Sequence, residues 1–229
     1  MTVAPERVAV VVPVYGNEAT LELLAERLAA ALGGRDWRLR LVIDASPDGS
    51  AALAARLAAA DARIAVTALT VNGGQHAALA TGLAAEPDAA AWVCLDADLQ
   101  DPPEAVPLLL DRLARGDVGA VFAGRRGAYE SPMRRLTGDV HRRLAARLTG
   151  LPPDAGAFLA MGPSVRRAVV TAVREDGAPS VVLAVARAGE RVTSVPVARD
   201  RRPEGRSAWT GRARVRQSVR SLAWAARRR

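Results

Sequence analysis

The sequence predicts an α/β fold: a mostly parallel central sheet flanked by helices on both faces. Two observations carry the sheet and its helices. Short β-branched runs alternate with helical-period segments through the first half of the chain. The first run, "RVAVVVPV", is apolar throughout, as a strand buried on both faces must be. Half of the 229 residues are hydrophobic, enough for one large core or two small ones.

The elements follow in order. After "RVAVVVPV" and the polar "YGNE" comes "ATLELLAERLAAAL", with Leu21, Leu24, Leu28 and Leu32 at helical spacing and Gly33 and Gly34 to stop it. "WRLRLVID" is the second strand, "GSAALAARLAAA" the second helix and "RIAVTALT" the third strand. "GGQHAALATGLAAE" is the third helix, "AAWVCLD" the fourth strand, "PPEAVPLLLDRLARG" the fourth helix and "VGAVFAG" the fifth strand. Beyond Gly127 the pattern loosens. An amphipathic helix aligns Met133, Leu136, Val140, Leu144 and Leu148, and "LPPDAGAFLAMG" returns as a turn and a short strand. A helix over 164–173, a weaker one over 181–188 and the strand "RVTSVPV" complete the core.

Composition narrows the class of function. A lone cysteine, Cys94, lies in an apolar run, cannot bridge internally and reads as a buried thiol in a reducing compartment. There is no uncharged apolar run of about 18 residues and no basic leader, so the expectation is a cytoplasmic protein, at most peripheral at the inner membrane face. The net charge is +8, and all 32 basic residues are arginine, which favours anionic partners. Nucleic acid is not expected among them, because aromatics make up only 3% of the chain and no RNA-reading motif occurs.

In parallel sheets, ligands sit outside the carboxyl ends of the strands. Those ends read "YGNE", "DASPDGS", "NGGQH" and "DADLQD". The last is the most informative. Asp96 and Asp98 repel each other unless a cation lies between them, and Mg²⁺ binds through one or two carboxylates together with substrate phosphates. Asp101, before Pro102 and Pro103, reads equally as a helix N-cap.

The segments "VVVPVYGNEATL", "NGGQHAALATGL", "LDADLQDPPE", "DAGAF" and "RRPEGRSAW", in this order over 8–210, resemble the family 2 glycosyltransferases of the GT-A fold. Within that family the pattern is most similar to the polyprenyl-phosphate sugar transferases of the dolichyl-phosphate mannose and undecaprenyl-phosphate types. The resemblance implies inverting transfer of a sugar from a UDP- or GDP-sugar donor, assisted by Mg²⁺ or Mn²⁺, to a polyprenyl phosphate or a small-molecule acceptor. It implies a catalytic domain over 1–211, with a nucleotide-binding half (1–125) and an acceptor-side half (126–211). A basic amphipathic helix or tail over 212–229 follows.

By the same resemblance, Pro13, Tyr15 and Glu18 line the nucleotide pocket, and Asp44 approaches the base and ribose. Asp96 and Asp98 are the metal and diphosphate motif, with Gln100 facing the sugar. Asn72, Gln75 and His76 belong to the "NGGQH" rim. Asp154 is the acidic position of a "DxGxF" element near the acceptor, and Arg199, Arg202 and Ser207 fall in a basic stretch that closes on phosphates. The chain departs from the family at Ile43 and Ala45, where a second aspartate and a glycine are usual, and at Ala157, where the polyprenyl branch often has another aspartate.

Plainer readings stand beside these. Asp154 also fits a turn, His76 an ordinary helix start, and Arg125 and Arg126 a solvated surface. His141 reads as solvated. For 212–229, a solvated tail, a membrane-surface helix and a homodimer contact stay open. A non-catalytic nucleotide-sugar binder is the alternative to the enzyme.

Overall fold

Alternate residues of β1 (Val8–Val14) go to opposite cores. Val8, Val10, Val12 and Val14 pack with Leu21, Leu24 and Leu28 of α1 (Glu18–Ala31), while Ala9 and Val11 pack with Ala78, Leu79 and Leu83 of α3 (Gln75–Ala85). The two-residue period of a strand therefore explains why the run is apolar at every position. Each of those leucines is wholly buried, a contribution of roughly 1.5–3 kcal/mol apiece.

The structure, a computed structural model, describes residues 7–126, 149–199 and Trp224. The remaining elements are β2 (Trp37–Asp44), α2 (Ser50–Ala60), β3 (Ile64–Leu69), β4 (Ala91–Cys94) and α4 (Val106–Leu113), entered through a 3₁₀ turn (Pro103–Ala105). Then come β5 (Ala120–Arg126), β6 (Leu159–Met161), α5 (Pro163–Arg174), α6 (Val181–Val185) and β7 (Val192–Ala198). Residues 131–148 of the helix expected over 131–150, with His141, and nearly all of the tail lie outside the described residues, as do Arg202, Ser207 and the side chains of Arg125 and Arg126.

The described strands form one sheet in the order β3-β2-β1-β4-β6-β5-β7. β6 runs against both of its neighbours, and every other pairing is parallel. From β1 the chain steps outward through β2 to β3, then returns to place β4 on the other side of β1. That reversal opens a crevice at the carboxyl ends of β1 and β4, where ligands of open α/β sheets bind.

α3 is fixed closely enough to place its first residues at this crevice. Gly82 brings the helix onto the sheet, since a Cβ there would collide with Val11 and come within 2.8 Å of Val42 Cγ2. At the far end, Arg166 donates from Nε (2.8 Å) and Nη2 (2.6 Å) to the carbonyl of Leu83, and from Nη2 to that of Ala84 (3.2 Å). Trp92 Nε1 donates to the carbonyl of Glu86 at 2.7 Å. These donors satisfy carbonyls that a helix end leaves without intrahelical partners.

Of the tail, Trp224 is described. It is buried in the α3-side core, donates from Nε1 to the carbonyl of Asp176 (3.4 Å) and lies under the Arg187 guanidinium at 4.4 Å. Among the described residues no helix is long and apolar enough to cross a membrane.

Candidate active site

The acidic motif leaves β4 as a short loop in which buried and accessible residues alternate. Ala97 and Leu99 enter the core, and Asp96, Asp98 and Gln100 are half-buried. The period of two thus gives the two carboxylates the accessible positions. Leu99 takes a left-handed backbone conformation (φ 58°), uncommon for a leucine and sustained only where surroundings fix it.

Three elements brace this loop. From the first residue of α3, Gln75 donates Nε2 to Asp96 Oδ1 at 2.5 Å. From α1, the buried Thr20 hydroxyl donates to the carbonyl of Ala97 at 2.6 Å. From the end of β7, Arg199 Nε donates to Asp101 Oδ1 at 2.7 Å. Within the loop, the Gln100 amide donates to Asp98 Oδ1 at 3.1 Å. Cys94 just beneath is fully enclosed, and burial, with the Asp96 charge second, pushes its thiol up and leaves it inert.

Asp101 is not a helix cap. The turn that follows begins at Pro102 without a side-chain cap, and the Asp101 carboxylate goes to Arg199 instead.

The donor set suits a hard divalent cation. Among the described residues no group of three or more His, Cys, Asp or Glu could hold a metal on its own. Two carboxylates that leave the rest of the shell to phosphate oxygens and water are what Mg²⁺ or Mn²⁺ takes at a nucleotide site.

The rim beyond β1 and β2 is densely cross-linked. Asp44 is 2% exposed, and its oxygens accept from the amides of Gly73 (2.7 Å) and Gly74 (2.8 Å), while Asn72 Nδ2 donates to its carbonyl (3.2 Å). Asp44, the residue expected at the base and ribose, holds the "NGGQH" loop through these bonds. Ala45, which replaces the usual glycine, has φ 51°, a conformation that costs any residue with a Cβ. Ile43, where the second aspartate is usual, is a core residue at 2% exposure.

Asp48 ties the first two loops together. It accepts from the Glu18 amide (3.1 Å), the Ser46 hydroxyl (2.6 Å) and the Ser50 amide (3.2 Å). Ser46 in turn accepts from the Gly16 amide (2.8 Å), Ser50 from the Asn17 amide (3.2 Å), and Glu18 Oε2 from the Gly49 amide (2.9 Å). Burial pushes the Asp48 carboxyl up, but these donors outweigh it and hold its pKa at about 2. Pro13 is buried within β1, and Tyr15 projects with 45% of its surface exposed.

His76, second in α3, is half-buried as a residue, with Nδ1 enclosed and without a hydrogen-bond partner. Burial lowers its pKa to about 4, so the ring is neutral at physiological pH.

Asp154, expected near the acceptor, is half-buried, and Ser194 of β7 donates its hydroxyl to Oδ2 at 3.2 Å. Gly124 of β5 makes room for it, since a Cβ there would collide with that oxygen and lie 3.0 Å from Cγ. Thr20, Ser46, Asp48, Ser50, Gly124 and Ser194 escaped the sequence reading. Only "DGS" before a helix carried a signal, that of a helix start.

The model of glycosyl transferase family 2 matches residues 9–159, more than half of the chain. The chain is similar to undecaprenyl-phosphate 4-deoxy-4-formamido-L-arabinose transferases. It is 36% identical to that of Pectobacterium carotovorum over 174 residues, covering 73% of this chain and 51% of the relative. It is 38% identical to that of Shewanella sediminis, with 73% and 50% covered. It therefore spans about half the length of the curated relatives it matches.

Among solved structures it resembles glucosyl-3-phosphoglycerate synthase of Mycobacterium tuberculosis, in complex with Mn²⁺, UDP and glucosyl-3-phosphoglycerate. The TM-score is 0.67 at 20% identity, covering 97% of this chain and 80% of that one. A mannosyltransferase of Pyrobaculum calidifontis, in complex with GDP-mannose and Mn²⁺, matches with TM-score 0.69 at 22% identity, covering 99% and 67%. These likenesses establish the GT-A fold that the family resemblance implies, on the parallel α/β sheet expected from the strand and helix alternation. The family model, which spans both the "NGGQH" rim and the acidic loop, and the curated relatives show that the chain belongs to glycosyl transferase family 2.

Proposed function

We propose that the protein is an inverting, metal-dependent glycosyltransferase that moves a sugar from a UDP- or GDP-sugar to a polyprenyl phosphate or a small soluble acceptor. The observation that carries this reading is the rim at the β1/β4 crevice, where Gln75 at the start of α3 bonds Asp96 in the β4 loop that also carries the half-buried Asp98. The names of the curated relatives support the polyprenyl-phosphate acceptor, and the Mn²⁺ complexes of the structural neighbours support the donor and the ion.

Each residue has a role that its surroundings suit. Asp96 and Asp98 hold Mg²⁺ or Mn²⁺, which supplies charge stabilisation to the departing diphosphate. Gln75 orients the Asp96 carboxylate, and Gln100 faces the sugar. Asp44 and Asn72 shape the glycine loop, and Tyr15 and Glu18 border the nucleotide. His76 stays neutral and adds no charge beside the diphosphate. In the transfer, the acceptor oxygen attacks the anomeric carbon from the side opposite the diphosphate as the sugar–phosphate bond breaks. If that oxygen is a hydroxyl, Asp154 takes its proton; if it is a phosphate, already anionic, Asp154 orients it. Arg202 and Ser207 are assigned to phosphate contact on sequence alone. Acting on a lipid carrier would bring the protein to the membrane surface.

The test is to incubate the full chain with labelled UDP- and GDP-sugars, Mn²⁺, and undecaprenyl phosphate or soluble acceptors. Label should pass to one acceptor, and Asp98→Ala should lower the rate about 10²–10³-fold while the melting temperature holds. Tight Mn²⁺-dependent binding of nucleoside diphosphate with no transfer or hydrolysis from any donor would favour the non-catalytic binder.

A further inference from the structure

The Asp101–Arg199 pair lies beyond the residues that contact donor or acceptor in the reading above, and it joins positions 98 residues apart. Asp101 is 3% exposed, and its side chain is more deeply enclosed than that of Arg199 (4% against 20%). Oδ1 receives Arg199 Nε at 2.7 Å, while Oδ2 is enclosed with no hydrogen-bond partner. Among the described residues the carboxylate therefore has one cation, Arg199. A buried charge held by one partner strongly disfavours any arrangement in which that partner is withdrawn.

Asp101 closes the loop that begins at Asp96. The loop carries a left-handed Leu99, and its other outside braces among the described residues include Thr20 on the carbonyl of Ala97 and Gln75 on Asp96. Those two hold its first half. Past Asp98, the attachments among the described residues include the Gln100 amide on Asp98, the buried Leu99 side chain and the Arg199 pair. The pair alone among these three joins the loop to β7, on the acceptor side of the sheet.

We propose that Arg199 is a positioning residue for the Asp96–Asp98 motif, acting through Asp101, and not a ligand of the donor phosphates. Its guanidinium is committed to a buried carboxylate, and a phosphate could recruit it only by stranding that carboxylate in a desolvated site. The inference rests on the proposed metal and donor site for its functional consequence, but its structural premise can be tested apart from that reading.

Two measurements on the full chain, made for the wild type, Arg199→Ala, Arg199→Lys and Asp101→Asn, decide it. The first is hydrogen exchange of a peptide covering 96–101, with peptides from β1 and β2 as internal controls. Arg199→Ala and Asp101→Asn should speed exchange in the 96–101 peptide about tenfold with the controls unchanged, and Arg199→Lys should restore part of the protection. Unchanged exchange in that peptide overturns the proposal, whatever the protein turns out to bind.

The second is the Mn²⁺ concentration for half-maximal binding of UDP or GDP by calorimetry. Positioning predicts that Asp101→Asn and Arg199→Ala raise it alike, by about tenfold, and that the double variant is no worse than either. If Arg199 held the phosphate directly, Asp101→Asn would leave nucleotide affinity unchanged or improved while Arg199→Ala weakened it, and the proposal falls. It falls also if both variants lower the melting temperature and leave the Mn²⁺ requirement untouched. Absence of nucleotide binding in the wild type would sink the proposed function and leave the exchange result to decide the pair.

Discussion

Asp48, beyond β2, accepts hydrogen bonds from Ser46, Ser50 and Glu18, and its neighbour Asp44 is locked onto two glycine amides. Asp154, beyond β5, accepts one from Ser194 among the described residues, at 3.2 Å. Both rims belong to one sheet, yet among the described residues one is a mesh of mutually satisfied groups and the other a carboxylate seated over a glycine with one hydroxyl donor. Preorganised groups lower the cost of binding by being ordered beforehand. The mesh suits a donor whose diphosphate never changes.

The largest effect that could break this contrast lies in the mesh. Asp44→Ala removes the acceptor of two amide hydrogen bonds from a buried site and should cost about 3 kcal/mol of stability, read from urea unfolding. Ser194→Ala, its counterpart on the other rim, should cost no more than about 1 kcal/mol. Equal losses would show that the two rims are held alike.

Next in size is Gly124→Ala, which places a methyl against the Asp154 carboxylate. Turnover should fall roughly 10–100-fold, as misplacement of a reacting group does, with the dissociation constant for the nucleotide unchanged. A parallel loss of nucleotide affinity would mean that the rims are coupled.

The smallest effect sharpens the comparison through pH. His76 has its pKa lowered to about 4 in the folded protein, against an ordinary value of 6.5. Between those values the unfolded chain binds more protons, so the stability His76 contributes is complete above pH 6.5 and is lost as pH falls toward 4. The loss should be on the order of 1–3 kcal/mol. Melting curves from pH 7 to 4.5 should show it in the wild type and not in His76→Gln. Asp48, held near 2, also stabilises the fold at neutral pH, but its contribution fades only below about pH 4, so the two are separable.

The first five strands and four helices were legible because each carries its own periodicity. "WRLRLVID" matches β2 from first residue to last, and α3 begins two residues inside the expected segment. The fourth strand was expected to run to Asp96, but pairing stops at Cys94, where the chain turns to form the carboxylate loop. The place of β6 was not legible, because three residues inserted antiparallel between β4 and β5 are decided by distant partners rather than local pattern. At the site, the aspartates could be read from their spacing and the family resemblance, but their braces could not. Thr20 looks like any helix residue until the fold brings it 2.6 Å from the carbonyl of Ala97. Arg199 was taken with the arginines that follow it, and only the burial of Asp101 separates it from them.

The central claim is that Asp96 and Asp98 hold a divalent cation against a nucleoside diphosphate. Its most direct test is a crystal grown with Mn²⁺ and UDP or GDP, with anomalous scattering used to find the ion. The account predicts a peak about 2.1 Å from carboxylate oxygens of Asp96 and Asp98, bridged to the diphosphate. A nucleotide bound with no ion at that rim, or an ion held elsewhere on the chain, would contradict it.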